Sequence, residues 1–118
     1  MRDFRKYTVW QDGIRFVKKI YKFSESLPKD EKFGLVSQIK RASVSIPSNI
    51  AEGCSRNSEK EFRRFLEIAL GSAFELETQL IIIKEILNSD KDDVKVLLED
   101  LNKLQKSLNS LIKKIKKN

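Results

Sequence analysis

The stretch SEKEFRRFLEIALGSAFELETQLIIIKEIL, residues 58–87, decides the fold. Its apolar residues Phe62, Leu66, Ala69, Ala73, Leu76, Leu80, Ile83 and Leu87 alternate four and three apart without a break, so they line one side of a long α-helix. Ser58 with Glu61 three residues on forms a capping box, a start signal that satisfies orphan backbone amides. A stripe of this length is stable only when other helices cover it.

The flanks supply those helices. Downstream, Asn88-Ser89-Asp90 reads as a turn with Asp90 as N-cap, and a helix over 90–116 carries Val94, Leu97, Leu101, Leu104, Leu108, Leu111 and Ile115. Upstream, a helix over 30–53 opens with Asp30 and Glu31 in its first turn and carries Leu35, Ile39, Ala42, Ile46 and Ile50. Gly53 is its natural stop, and Pro47 leaves the Ser43 carbonyl unpartnered, so a kink is expected there. The first helix spans 8–27, opened by a Thr8/Gln11 capping box and ended by Leu27-Pro28. Four helices with short turns predict an all-α, antiparallel up-down-up-down four-helix bundle in one domain, 1–118.

The composition fits that reading and excludes much else. In 118 residues there are 24 Lys and Arg, 17 Asp and Glu, no His and one Cys, for a net charge of +7. Leu, Ile, Val and Phe make up about a third of the chain, enough for a folded core. Without His the usual proton shuttle and commonest metal ligand are missing, and one Cys builds neither an internal disulfide nor a thiolate metal site. No apolar run follows the charged start and none approaches a membrane span, so a cytoplasmic protein with no membrane contact is expected. Charge is segregated: residues 1–22 carry +5, residues 103–118 carry +6, and the rest nets −4.

Two helices have more apolar surface than a four-helix monomer requires. In the first, Trp10, Ile14, Val17 and Tyr21 form one stripe and Phe16, Ile20, Phe23 and Leu27 another about 120° away. In the third, Ile68, Phe74, Ile81 and Ile82 lie opposite the main stripe. We expect a homo-oligomer buried through Phe16, Ile20, Phe23, Phe74 and Ile81, the alternative being that the surplus faces pack on neighbouring helices of the same bundle.

A polar face accompanies these. Gln38, Arg41, Ser45, Asn49 and Glu52 recur three and four apart on the second helix, and an antiparallel third helix brings Glu67 and Glu75 within a turn of Arg41. Small residues on both sides permit close approach. The expected role is structural, a buried and satisfied polar layer that fixes register, with a ligand site as the alternative.

The same residues carry a resemblance. The runs 28–35 (PKDEKFGL), 38–42 (QIKRA), 45–53 (SIPSNIAEG), 65–73 (FLEIALGSA) and 75–80 (ELETQL) resemble the bacterial four-helix-bundle family encoded in intervening sequences of large-subunit ribosomal RNA genes. The likeness covers roughly residues 8–115. It implies a ring-like homopentamer. The chain is also similar to the accessory protein of diversity-generating retroelements, a basic pentameric barrel that associates with a reverse transcriptase and nucleic acid. One departure is the turn Leu87-Asn88-Ser89-Asp90, where the family often has a Gly-aromatic turn.

The charged ends suggest a contact surface. Arg15, Lys18, Lys19 and Lys22 occupy the wedge between the two stripes of the first helix, and Lys103, Lys106, Lys113, Lys114, Lys116 and Lys117 fill the last one. The topology brings the two basic segments to one end, where they would bind RNA or DNA phosphates without reading sequence. The plainer alternative is solvated helix faces. No aromatic platform interleaves with the lysines. Catalysis is not expected: Glu75 and Glu77 point different ways, Cys54 has no His to serve as its base, and Gly53 and Gly71 are isolated rather than part of a phosphate loop. The sequence therefore predicts a non-catalytic assembly or adaptor protein with electrostatic RNA or DNA binding and no cofactor. The alternatives are a scaffold that binds an acidic protein partner without nucleic acid, and a small-molecule site in the bundle or ring pore.

Overall fold

The computed structural model describes residues 2–31, 34–87 and 91–116, the side chains of Lys91 and Lys116 excepted. It contains α1 (Thr8–Ser24), α2 (Leu35–Cys54), α3 (Glu59–Leu87) and α4 (Lys91–Lys116), with single 3₁₀ turns at Phe4–Lys6 and Lys29–Glu31. Each helix packs on its neighbour in sequence and α1 closes on α4, giving the all-α four-helix bundle that the periodicity predicts. At 1.5 Å per residue α3 alone is about 43 Å long. That matches the 45 Å long axis of the molecule.

The core runs the length of the bundle. Ile20, Ile39, Ile46, Ile50, Leu66, Leu76, Leu80, Ile83, Leu101 and Leu108 are fully buried, and the small Ala69 and Ala73 sit among them without exposure. Ser58 Oγ accepts a hydrogen bond from the Glu61 amide at 3.1 Å, the N-terminal half of the predicted capping box.

The helix ends differ from expectation for local reasons. α1 stops at Ser24, because the Glu25, Ser26 and Leu27 amides turn back to the Lys22, Phe23 and Ser24 carbonyls as the chain approaches Pro28. Leu27 is nonetheless buried beneath that turn. Thr8 is not an N-cap: Tyr7 takes that position without a side-chain bond, and Gln11 Nε2 donates instead to the Arg5 carbonyl at 2.8 Å. α2 begins at Leu35, with Gly34 as its N-cap. The turn Asn88-Ser89-Asp90, its expected Asp90 cap, and Lys117 lie outside the described residues.

Pro47 does not break α2, which continues through it to Cys54. Its ring faces Gly13 of α1, where a Cβ would lie 3.4 Å from Pro47 Cβ. Gly53 is not the stop signal it resembles. It is buried inside the helix, and a Cβ there would meet Phe65 Cβ at 2.8 Å and the Phe62 carbonyl at 3.2 Å. Glycine is required for the close approach of α2 to α3. In Gly53→Ala an overpacking cost of about 1–3 kcal/mol outweighs a helix-propensity gain of at most about 1 kcal/mol. Urea unfolding should show a net loss of about 1–2 kcal/mol on that balance.

The expected interface residues divide. Phe16, Ile20 and Phe23 are 3%, 0% and 8% exposed, so they belong to the monomer's own core and cannot face a second subunit. Val9 and Gly13 share their side of α1 and are buried with them, which identifies this stripe as the one that points to the bundle axis. The other stripe lies to its flank: Ile14 and Tyr21 are exposed, Trp10 and Val17 half-buried, and Lys40 of α2 sits 4.8 Å from the Tyr21 ring. On α3 the surplus apolar residues do face outward. Phe74 is 52% and Ile86 66% exposed, and Ile68, Ile81 and Ile82 are exposed as well.

Candidate nucleic-acid interface

The N-terminus of α1 and the C-terminal half of α4 meet at one end of the bundle around an open groove of about 880 Å³. Lys6, Tyr7, Thr8 and Val9 form one wall; Lys106, Ser107, Ser110, Leu111, Lys113 and Lys114 form the other. The 3.6-residue repeat explains the second wall, since positions 106, 107, 110, 113 and 114 fall outside the leucine stripe of α4. Lys6, Lys106, Lys113 and Lys114 are exposed, and among the described residues none has a carboxylate within ion-pair distance. Four ammonium groups around one groove make a strongly positive concavity.

Other sequence candidates lie elsewhere. Arg15, Lys19 and Lys103 line a smaller hollow of about 200 Å³ farther along the α1–α4 seam, together with Asp12 and Asp100. There Arg15 pairs with Asp12, and Lys19 Nζ donates to Asp100 Oδ2 at 2.7 Å, so this stretch is largely neutralised. Lys18 and Lys22 are exposed on the outer side of α1 and line neither hollow. The side chain of Lys116 and all of Lys117 are outside the described residues. Lys6 is a groove residue that the sequence pattern does not single out; its place one residue before the α1 N-cap is the signal that points to it.

The neighbouring part of this end is also basic. Arg2 pairs with Glu59, donates to the Arg56 carbonyl at 3.2 Å and lies 4.2 Å from the Phe62 ring. The N-terminal segment is thereby pinned across the α2–α3 turn. Arg56 stacks 4.9 Å from Phe65 and bonds Glu52 Oε2 at 3.1 Å.

The polar face of α2 is not an interior layer. Gln38, Arg41, Glu52, Glu67 and Glu75 are exposed and only Ser45 and Asn49 are half-buried, because the small residues Ala42 and Ala73 close the α2–α3 contact beneath them. Ser45 Oγ and Ser72 Oγ share a 2.7 Å hydrogen bond across the two helices, and Asn49 Nδ2 donates back to Ser45. A Cβ on Gly71 would meet nothing within 4 Å, so this glycine makes no room for α2. The buried polar side chains that bridge helices are glutamines. Gln105 of α4 donates to Glu77 at 2.8 Å and towards the Ala73 carbonyl at 3.4 Å, and Gln79 of α3 reaches Gln38 and Glu75 at 3.5 and 3.4 Å. Both stand three or four residues from stripe leucines, and that spacing is the signal that finds them.

Cys54 is fully buried where α2 ends. Burial pushes its thiol above the ordinary range, an effect that nearby Arg2 opposes in part, so the thiol ionises less readily than a free one. The folded state thus holds this proton at pH values where the unfolded chain gives it up. Stability from this group is present below the unfolded pKa of about 8.5 and declines as pH rises beyond it. Alkaline unfolding of Cys54→Ser should lack that decline, and in the native protein at neutral pH the thiol should react with a disulfide reagent far more slowly than in denaturant. Among the described residues no three potential metal ligands cluster together, and no helix is long and apolar enough to cross a membrane.

Comparison with known proteins gives these surfaces a family. The family model described as 23S rRNA-intervening sequence protein matches residues 5–110. No curated protein matches. Among solved structures, a protein of unknown function from the S23 ribosomal protein family of Bacteroides thetaiotaomicron VPI-5482 is similar, with a TM-score of 0.82 and 28% identity over 89% of this chain and 95% of that one. The family match takes in all of α1, α2 and α3 and most of α4, and the chain therefore belongs to the 23S rRNA-intervening sequence protein family.

Proposed function

We propose that this protein is a non-catalytic, self-assembling binding protein of the cytoplasm that holds RNA or DNA by phosphate contacts in the α1–α4 groove. One observation carries the reading: Lys6, Lys106, Lys113 and Lys114 surround a single open groove with no described carboxylate to neutralise them. Ser107, Ser110 and Thr8 add hydroxyl donors suited to phosphate oxygens. Contacts of this kind position a backbone and carry no sequence code. The family name, which refers to an intervening sequence in 23S rRNA, supports RNA as the first probe.

Self-assembly is supported by the outward face of α3. Phe74 and Ile81 belong to a run of exposed apolar side chains that a lone soluble bundle has no reason to carry. A ring of subunits, the homopentamer implied by the family resemblance, would repeat the basic groove and multiply its affinity for a polyanion. A second reading has the groove taking an acidic protein segment, such as part of a nucleic-acid enzyme like a reverse transcriptase. The half-buried Tyr7 and Leu111 in its walls favour that partner.

Fluorescence anisotropy with labelled 20-nucleotide single-stranded RNA and the matching DNA tests the proposal. With about three phosphate contacts to a single strand, affinity should fall roughly 20-fold between 50 and 200 mM salt. Absence of binding at 50 mM salt, or binding indifferent to salt, overturns it and leaves the acidic-protein reading.

A further inference from the structure

Two outward apolar faces lie on different sides of the bundle and carry opposite charge. The first is on α3, where exposed apolar residues run from Ile68 to Ile86 with Phe74 and Ile81 between them. Over residues 67–86 that helix holds four glutamates against one lysine. Glu75 and Glu85 are exposed there, and neither is in an ion pair among the described residues. The second face is shared by α1 and α2, and it exposes Ile14, Tyr21 and Val44. Lys40 sits 4.8 Å from the Tyr21 ring, and exposed Lys18 stands within one turn of both Ile14 and Tyr21. α1 and α2 contain one carboxylate each, Asp12 and Glu52, and these pair with Arg15 and Arg56. Lys18 and Lys40 thus have no carboxylate within ion-pair distance among the described residues. α1 packs on α2 and α4 and not on α3, so α1 and α3 stand diagonally opposite.

We infer that the α1–α2 face of a second copy of this chain covers the α3 face of the first. Charge selects that pairing. Two α3 faces set against each other would oppose glutamate to glutamate, and two α1–α2 faces would oppose lysine to lysine. Only the unlike pair buries the apolar centres of both faces while Lys18 and Lys40 meet the carboxylates of α3. Phe74 and Tyr21 are the aromatic anchors of the two sides, and large rings of this kind carry most of the energy of a contact. Association is then heterologous: each copy uses both faces, so the assembly closes into a ring or continues as a filament, and a two-fold dimer does not satisfy it. The inference rests on the self-assembly proposed through α3 and names the surface that meets it. It also gives Lys18, which lines neither basic hollow, a place in the assembly.

Complementation between two face variants of the full chain tests the pairing. One variant carries Phe74→Ser and Ile81→Ser, the other Tyr21→Ser and Val44→Ser, all at exposed positions where the fold tolerates them. By light scattering each should have the 13.7 kDa mass of one chain. Mixed in equal amounts at about 100 μM, because a single interface lacks the avidity of a closed assembly, they should form a complex of two chains. Each partner in that mixture supplies the face the other has lost. The charge-reversed variant Lys18→Glu, Lys40→Glu should need about tenfold more protein than the parent to reach half assembly. A Tyr21→Ser, Val44→Ser variant that assembles as the parent does, a mixture that stays at one chain, or charge reversal without effect overturns the inference and leaves self-assembly through α3 standing. A parent protein that is itself one chain overturns both.

Discussion

Ile20→Ala is expected to lower the unfolding free energy by about 3–4 kcal/mol in urea, a high value for a single truncation. Ile20 is completely buried, in the same cluster as Ile46 and Ile50 of α2 and the leucines of α4. Truncation removes its transfer free energy and leaves a cavity that four packed helices close only in part. Ile14, six residues earlier on the flanking stripe, is 38% exposed. Ile14→Ala should cost less than about 1 kcal/mol. The pair separates the two stripes of α1 cleanly: the order would reverse if Phe16, Ile20 and Phe23 faced a partner subunit and Trp10, Ile14, Val17 and Tyr21 filled the core.

The second large effect is on assembly. The double variant Phe74→Ser, Ile81→Ser removes two prominent apolar side chains from the outward face of α3, both more than 40% exposed in the single chain. Because neither contributes to the buried cluster, helicity and urea stability should stay close to those of the parent. Light scattering at micromolar concentration should find the parent protein as an oligomer and the variant at the 13.7 kDa of one chain. A parent protein that is already monomeric contradicts self-assembly through this face.

What is legible in the sequence follows from the physics of each signal. The stripe in α3 is unbroken from Phe62 to Leu87, and an uninterrupted 3.5-residue repeat specifies a helix whose one apolar seam needs partner helices; the three other stripes in the same chain supply them, so the bundle can be read directly. The two stripes of α1 carry nearly equal apolar content, and periodicity alone does not say which one meets the axis. The buried Gly13 against Pro47 decides that, through an approach between two helices that no local pattern encodes. Gly53 shows the same limit. A glycine near a helix end is ordinarily a C-cap, and only the proximity of Phe62 and Phe65 reveals that it makes room for α3.

The candidate sites are legible as charge and only partly as geometry. The two basic segments do converge, because up-down-up-down topology places the first and last helix termini together. Which lysines share the groove depends on helix rotation: Lys106, Lys113 and Lys114 turn toward it, while Arg15 and Lys19 turn toward Asp12 and Asp100. The face from Gln38 to Glu52 is recognisable as one surface, but its exposure is not, since burial is set by the small residues that let α2 and α3 touch beneath it.

If the groove lysines bind nucleic-acid phosphates, the slope of log Kd against log salt for single-stranded RNA must depend on them. Measured for the parent protein and for the triple variant Lys106→Ala, Lys113→Ala, Lys114→Ala, the slope should be shallower in the variant by about 2, roughly 0.7 for each phosphate no longer neutralised. These lysines are exposed, so the variant should unfold as the parent does. A variant that binds RNA with the parent's affinity and the parent's slope would show that the phosphates are held somewhere other than this groove.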